Sequence, residues 1–411
     1  MADTASNAGI GNPVVERALR RRIMSGGPIS FAEFMEVALY HPRGGYYMTS
    51  ARIGRNGDFT TSPEIHPAFG ALVGRFLGQV WRAMGSPAQF VVVEIGGGTG
   101  RLAASILTSL ARTNQAFYRR LKYVMDDVSP AMRRHQKELL GGAHPGKVAW
   151  RNLSSRRGRP IAGCIISNEL VDALPVHRVA MRSGRLTEMS VGLNGQGFTW
   201  LERTPCSGLS HHLETGGMTL TEGQVLEVRP AARNLLREVA ANLARGCVLT
   251  IDHGYESPQV YRERFAHGSL MCYSGGMMCD DPLQRPGLQD ISARVDFEAL
   301  QRYGKADGLT SLPLMTQRDF LLLFGAGQLL DAMRSAAVTA EHKAEERRAL
   351  LALLDPEGLG TCKVLLQHKG LSNEQASLLA DFSRPGAPLP LDALQMARPR
   401  PGWLEWQGVE V

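Results

Sequence analysis

Glu94, Gly96, Gly98 and Gly100 fall at alternate positions directly after the apolar run "FVVV" at 90–93. Glycine is the costliest residue to order, so several of them behind a buried strand mark a place where a ligand comes close to the backbone. A carboxylate just ahead of them gives such a ligand a reason to carry positive charge. A second acidic site follows at "LKYVMDDVSP", which ends in Asp126 and Asp127. An acid at the end of the strand after a glycine loop is where a ribose diol is held. Neighbours in a strand point to opposite faces, so one of these two acids faces the cleft. A third segment, "IISNELVDALPVHR" at 165–178, contains Asn168, Glu169 and Asp172. An amide beside a carboxylate at a strand's rim can orient a nucleophile, and acids three apart share a face of a helical turn. Helix capping uses the same residue types, so this segment gains its weight from the two before it.

Several glycine loops share this outline, and the spacing separates them. The dinucleotide fingerprint G-x-G-x-x-G requires glycine where this chain has Arg101. A phosphate-binding P-loop requires Gly-Lys-Ser/Thr, which does not follow. An acid with three alternate glycines is the first motif of class I methyltransferases that use S-adenosylmethionine (SAM). That ligand carries a sulfonium and an ammonium and no phosphate, which suits Glu94. On this reading Glu94, Gly96, Gly98, Gly100 and Asn168 belong to the cofactor side, with one acid of the Asp126–Asp127 pair. Glu169 and Asp172 belong to the methyl acceptor. A nicotinamide dehydrogenase is disfavoured by Arg101.

The surrounding elements must place these residues at one edge. Apolar, β-branched runs at "FVVVEIG", "KYVMDDV", "KVAWRNL", "AGCIISNEL" and "GCVLTIDHG" suit strands covered on both faces. Helical stretches such as "RLAASILTSLAR" and "AARNLLREVAANLAR" separate several of them. The alternation predicts a Rossmann-like α/β sheet over 89–370, to which "KVLLQHKG" at 363–370 returns a late strand. Residues 1–88 read as a helical N-terminal region in which Ser30 and Glu33 form a capping box. Within it, 41–65 is a long stretch rich in Gly, Ser, Thr and Pro, and connections of that kind are functional or disordered. A β-hairpin insertion is expected over 177–222, with turns at Ser183-Gly184 and Asn194-Gly195. An acceptor-side segment covers 255–330, and 371–411 is a proline-rich extension.

Composition excludes other classes. The 411 residues are 44% hydrophobic and 21% charged, as in globular proteins that bury a sizeable core. No apolar run approaches the ~20 residues that span a bilayer, and the N-terminus lacks the pattern of a secretory signal. The net charge of +7 comes from arginines interspersed with acids, so nucleic acid is not an expected partner. Six scattered cysteines show neither metal-ligand spacing nor a disulfide framework. They suit a cytoplasmic protein with no bound metal. The sequence allows a homodimer without deciding the oligomeric state.

With these residues in hand, the chain resembles the MidA family, which includes a mitochondrial complex I assembly factor that methylates an arginine. The resemblance runs from about residue 28 to about 368. It rests on "FMEVALYHPRGGYY", "GDFTTSPEI", "VVEIGGGTG", "DVSPAMRRHQ", "SNELVDALPVHR", "LTIDHGY", "DPLQRPGLQDISARVDF", "TQRDFLLLFG" and "GTCKVLLQ", in order. It implies a SAM-dependent methyltransferase acting on a protein arginine. It places the ribose acid on Asp127, just before x-S-P. It also lays the loop with Asp58, Thr61 and Ser62 over the cofactor, with Glu64 beside them. Two departures matter. Gly97 stands where members commonly have proline, and Tyr273-Ser274-Gly275-Gly276 stands where they show Tyr-Arg-x-His. The second change touches the acceptor side and raises an alternative, a small-molecule O- or N-methyltransferase. His253, in "DHG", is a candidate replacement for the missing imidazole.

Overall fold

The computed structural model describes residues 11–380 apart from 50–53, 55–56, 157–159, 207, 211–212, 214–219 and 336–338. Helix α1 (Pro13–Gly26) starts on Asn12, whose Oδ1 accepts from the N–H of Val14 at 3.0 Å. A short strand β1 (Ile29–Ser30) leads into α2 (Phe31–Tyr40). The capping box forms as the sequence predicts. Ser30 Oγ accepts from Glu33 N–H at 3.2 Å, and Glu33 Oε2 accepts from Ser30 N–H at 3.0 Å. Two single-turn helices, α3 (Tyr46–Thr49) and α4 (Ser62–Ile65), flank the loop that precedes α5 (Ala68–Ala83).

The βα alternation then begins. In chain order come β2 (Phe90–Ile95), α6 (Arg101–Thr113), α7 (Gln115–Arg120), β3 (Leu121–Asp126), α8 (Pro130–Leu140), β4 (Val148–Trp150) and β5 (Ile161–Asn168). After an excursion considered below, α9 (Pro230–Asn242) and β10 (Leu243–Asp252) complete it. Strands β4, β3, β2, β5 and β10 lie side by side and parallel. The late strand Lys363–Lys369 runs antiparallel beside β10 and carries short edge strands at Thr310–Ser311 and Met315–Thr316. One face of the sheet packs α5 and α6 through Phe69, Phe76, Ile106 and Leu110, and the other packs α9 through Leu235 and Val239. The chain winds outward from β2 to β4, then returns to lay β5 against the other side of β2. Connections therefore leave this strand pair in opposite directions, and a crevice opens beyond their carboxyl ends.

The excursion is an antiparallel sheet of β6 (His177–Arg182), β7 (Arg185–Asn194), β8 (Gly197–Arg203) and β9 (Val225–Val228). Its first turn falls on Ser183-Gly184 with φ of 51° and 71°, the both-positive pair of a tight hairpin. The second falls one place later than expected, on Gly195-Gln196, because Asn194 Oδ1 accepts from the N–H groups of both Gln196 and Gly197 at 2.9 Å. The N-terminal region joins this sheet through β1 and packs α2 against it. Ile29 pairs with Val191 across β1 and β7. Phe31 lies 5.0 Å from the Trp200 ring, and Phe34 lies 5.5 Å from Phe198. A third small sheet pairs Leu270–Ser274 with Met277–Cys279 and Asp290–Ala293. The proline-rich extension begins with a helix, Asn373–Ala380, held to α5 where Gln79 Nε2 donates to the Leu378 carbonyl at 2.8 Å. The rest of that extension lies outside the described residues.

Candidate active site

A cleft of about 810 Å³ opens at the carboxyl ends of β2, β3 and β5. The glycine loop forms its floor, with φ of 66° at Gly96, 51° at Gly98 and 85° at Gly100. These are left-handed values that side chains disfavour. A Cβ on Gly96 would sit 2.5 Å from Leu170 Cδ1, so the loop also packs closely on the β5 turn. Gly96 and Gly98 line the cleft, whereas Gly100 begins α6 just behind it. Glu94 lines it too. Its Oε2 accepts from Tyr123 Oη at 2.7 Å, and burial pushes its carboxyl up to about 8. Asp126 and Asp127 both reach the cleft, against the expectation of one. The reason is that β3 ends at Asp126, so Asp127 has left the pleat. Asp127 accepts from Ser129 N–H and Gln136 Nε2, each at 2.9 Å, while Asp126 accepts from Leu153 N–H at 2.7 Å.

The loop before α5 forms a roof, though not with every residue expected of it. Thr61 and Glu64 line the cleft; Asp58 and Ser62 do not. Buried Asp58 accepts from Tyr46 Oη at 2.7 Å and from Gly275 N–H, which ties the loop to the 270–279 hairpin. Ser62 is fully buried, and its N–H donates to Glu169 Oε1 at 3.2 Å. Its hydroxyl donates to Gln317 Oε1 at 2.9 Å. Both residues are therefore occupied by protein partners. Glu64 pairs with Arg101 at 2.7 Å and also accepts from Thr99 Oγ1, closing the roof onto the glycine loop. Arg101 is the one arginine lining the cleft among the described residues.

The opposite wall is acidic and aromatic. Glu169 enters the cleft from the turn after β5, and Asn168 Nδ2 donates to its Oε1 at 3.1 Å. Burial, reinforced by the Asp172 carboxyl, pushes Glu169 up to about 8. Asn168 Oδ1 is buried without a hydrogen-bond partner. Tyr40 and Tyr47 line the wall as a stacked pair with centroids 5.6 Å apart. Behind them Asp290 accepts from Tyr47 Oη at 2.6 Å, and burial pushes its carboxyl up to about 7. Asp172 does not line the cleft. It lies behind the turn, raised to about 6 by burial against the opposing charge of Arg229. His253 does not line it either. It sits against Cys362 Sγ at 3.5 Å, and burial lowers its imidazole to about 4. At 274, where the resemblance implies an arginine, Ser274 Oγ accepts from Arg285 Nη1 at 2.9 Å.

Comparison with known proteins decides the class of this site. A family described as "Putative S-adenosyl-L-methionine-dependent methyltransferase" matches residues 72–315, more than half of the chain. The chain belongs to this family. A Burkholderia thailandensis protein crystallised with S-adenosyl-homocysteine is 32% identical, with a TM-score of 0.78 over 88% of this chain and 94% of that one. The mitochondrial protein arginine methyltransferase NDUFAF7 homolog of Drosophila melanogaster is 28% identical over 87% of this chain and 85% of its own. Mitochondrial protein arginine methyltransferase NDUFAF7 of Homo sapiens is 27% identical over 92% and 89%. The protein is thus a SAM-dependent methyltransferase with a class I fold.

The cleft's residues fit SAM. Positive-φ glycines leave room for the nucleoside, and the acids suit its cationic groups and diol. Arg101, which also lines the cleft, is paired with Glu64. Sequence reasoning treated Arg101 only as a failed glycine and did not single out Tyr40, Tyr47 or Asp290. The tyrosines stand in quoted segments, "ALYHPRGGYY", and Asp290 in "GLQDISARVDF". Their convergence depends on the third sheet folding back over α3, which no local spacing reveals.

Proposed function

We propose that this methyltransferase acts on arginine side chains of a protein acceptor. The observation that carries the reading is the environment of Glu169. It faces the cleft, and after burial the largest influences on it are N–H donors and other carboxyls, with no cation among them. A guanidinium fills that requirement, since its planar fork matches a carboxylate and it stays protonated at neutral pH. The names of the mitochondrial relatives, protein arginine methyltransferases, support the same acceptor.

Bound SAM supplies an electrophilic methyl group on its sulfonium. Glu169 would hold the guanidinium with one nitrogen toward that methyl, and Asn168 Oδ1 would accept a second N–H. The guanidinium nitrogen would take that methyl in place of a proton, and the Glu169 carboxylate would receive the proton. Tyr40 and Tyr47 would flank the cation with their ring faces. Glu94, the loop glycines, Thr61, Asp127 and Arg101 would hold the cofactor. Asp172, behind the turn, would act on the acceptor through its charge. The six free thiols suit the reducing cytoplasm in which we place the protein.

Incubation with labelled SAM and a protein lysate, followed by mass spectrometry, tests the reading. Arginine should gain the methyl. Glu169→Gln should cost about 10²–10⁴-fold in turnover, the range for a lost general base. It should leave S-adenosyl-homocysteine affinity within a few-fold. Unchanged turnover would remove Glu169 from the mechanism. Label appearing only in small molecules would favour the second reading, a small-molecule O- or N-methyltransferase, which the Ser274-Gly275-Gly276 hairpin supports.

A further inference from the structure

Glu169 reaches the cleft with φ of 48°, a conformation that non-glycine residues seldom adopt. Something must hold it there. Its own N–H donates to the Ile251 carbonyl at 2.9 Å, and Tyr40 Oη and Ala293 N–H donate to the Ala173 and Asp172 carbonyls at 3.0 and 3.1 Å, but the turn's other hydrogen bonds go chiefly to two buried polar side chains. Asp252, at the end of β10, is 0% exposed. Its Oδ2 accepts from the N–H groups of Leu170, Val171 and Asp172 at 3.1, 2.8 and 3.3 Å, and its Oδ1 from His253 N–H at 2.8 Å. Arg229, just before α9, is 8% exposed. Its guanidinium donates to the carbonyls of Asp172 at 3.1 Å and Leu174 at 3.2 Å. It also donates to Ala293 at 2.7 Å and Arg294 at 3.4 Å.

We propose that Asp252 and Arg229 are positioning residues that fix the 169–174 turn by its N–H and C=O groups respectively, and so set where the Glu169 carboxyl stands. Neither side chain lines the cleft. Burying a charge is expensive unless it is hydrogen-bonded, and packing alone would be met more cheaply by apolar residues. Burial raises the Asp252 carboxyl well above its ordinary range, and both side chains spend their hydrogen bonds on backbone, which holds the turn at several points along its path. Arg229 does more than brace the turn. It ties it to the end of the strand that carries Asp290, and Asp290 orients Tyr47. The pair therefore sets the position of the acidic turn relative to the aromatic wall, across which an acceptor would lie.

The inference rests on Glu169 acting at the acceptor, so its test reads position separately from acceptor identity. Asp252→Asn keeps one acceptor oxygen, Asp252→Ala keeps none, and Arg229→Lys keeps the charge without the fork. Calorimetry with S-adenosyl-homocysteine should give a Kd within about threefold of wild type for each, a difference under about 0.7 kcal/mol. Methyl transfer from labelled SAM to lysate protein should fall about 10-fold in Asp252→Asn and Arg229→Lys. In Asp252→Ala it should fall about 100-fold, as expected for a displaced reacting group. The loss should appear in kcat, with the KM for SAM steady. Hydrogen exchange should show the amides of 170–172 losing protection while the glycine loop keeps its own. A folded variant with wild-type turnover overturns the proposal, and so does turnover lost only in step with cofactor affinity. Should Asp252→Ala fail to fold, the two conservative variants decide. If wild type methylates no arginine, the acceptor reading fails alone, and exchange then judges the clamp: protection retained at 170–172 in Asp252→Asn overturns it.

Discussion

Glu169 and its neighbours form a site short of positive charge. Glu169 is held up to about 8 and Asp290 up to about 7, both chiefly by burial. At neutral pH Glu169 is then mostly protonated and Asp290 about half so until a cation arrives, so acceptor binding would release a proton. The free enzyme's kcat/KM reports this ionisation. It should rise with pH and flatten above about 8, because the deprotonated form binds the guanidinium and takes its proton. The rising limb should vanish in the residual activity of Glu169→Gln. A flat profile across the neutral range in wild type would show that the carboxyl does not ionise during turnover. Tyr47 is expected to stay protonated throughout, since burial and the adjacent Asp290 carboxyl push its hydroxyl well above the ordinary range.

At the scale of elements, the glycine loop was the most legible part of the molecule because its constraint is local. Residue type and spacing already pointed to a close backbone approach, and the structure adds positive φ at Gly96, Gly98 and Gly100. Gly96→Ala should therefore be costly, chiefly through the backbone, with a smaller shift asked of the Leu170 side chain. The left-handed backbone costs about 1–3 kcal/mol for a side chain, and the new Cβ would stand 2.5 Å from Leu170 Cδ1. Leu170 belongs to the turn that carries Glu169, so this single methyl should lower both cofactor affinity and turnover. Calorimetry showing wild-type affinity would mean that the loop relaxes freely and does not brace the turn. The parallel strands and the capping box at Ser30 were legible for the same local reason. The roof was not. The types of Asp58 and Ser62 suit a cofactor, but Tyr46, Gly275 and Gln317 claim them first, the last two from distant parts of the chain. Asp290 was unreadable in the same sense. Its role follows from a strand pairing, Tyr273 with Asp290, that brings it behind Tyr47.

Taken whole, the molecule concentrates raised carboxyls around one cleft. Glu94 and Glu169 stand at about 8, Asp290 at about 7 and Asp172 at about 6. Each lies above the value its residue has in an unfolded chain, about 4. In that window the native state holds more protons than the unfolded state, so stability falls as pH rises. The contribution is complete at acid pH, below the unfolded value, and is lost as pH climbs through 6, 7 and 8. A protein with ordinary carboxylates shows little of this slope above about pH 5. Thermal melts of the ligand-free protein from about pH 5 to 9 should therefore show a steadily falling Tm. The acids nearest the acceptor would be relieved by a guanidinium, which makes the slope partly a property of the empty site. Adding a methyl-accepting arginine peptide with S-adenosyl-homocysteine should flatten it, because a bound cation lowers the carboxyls toward their unfolded values. A Tm that is level or rising over this range would mean that the acids are already compensated in the free protein, and the case for a cation-seeking site would go with it.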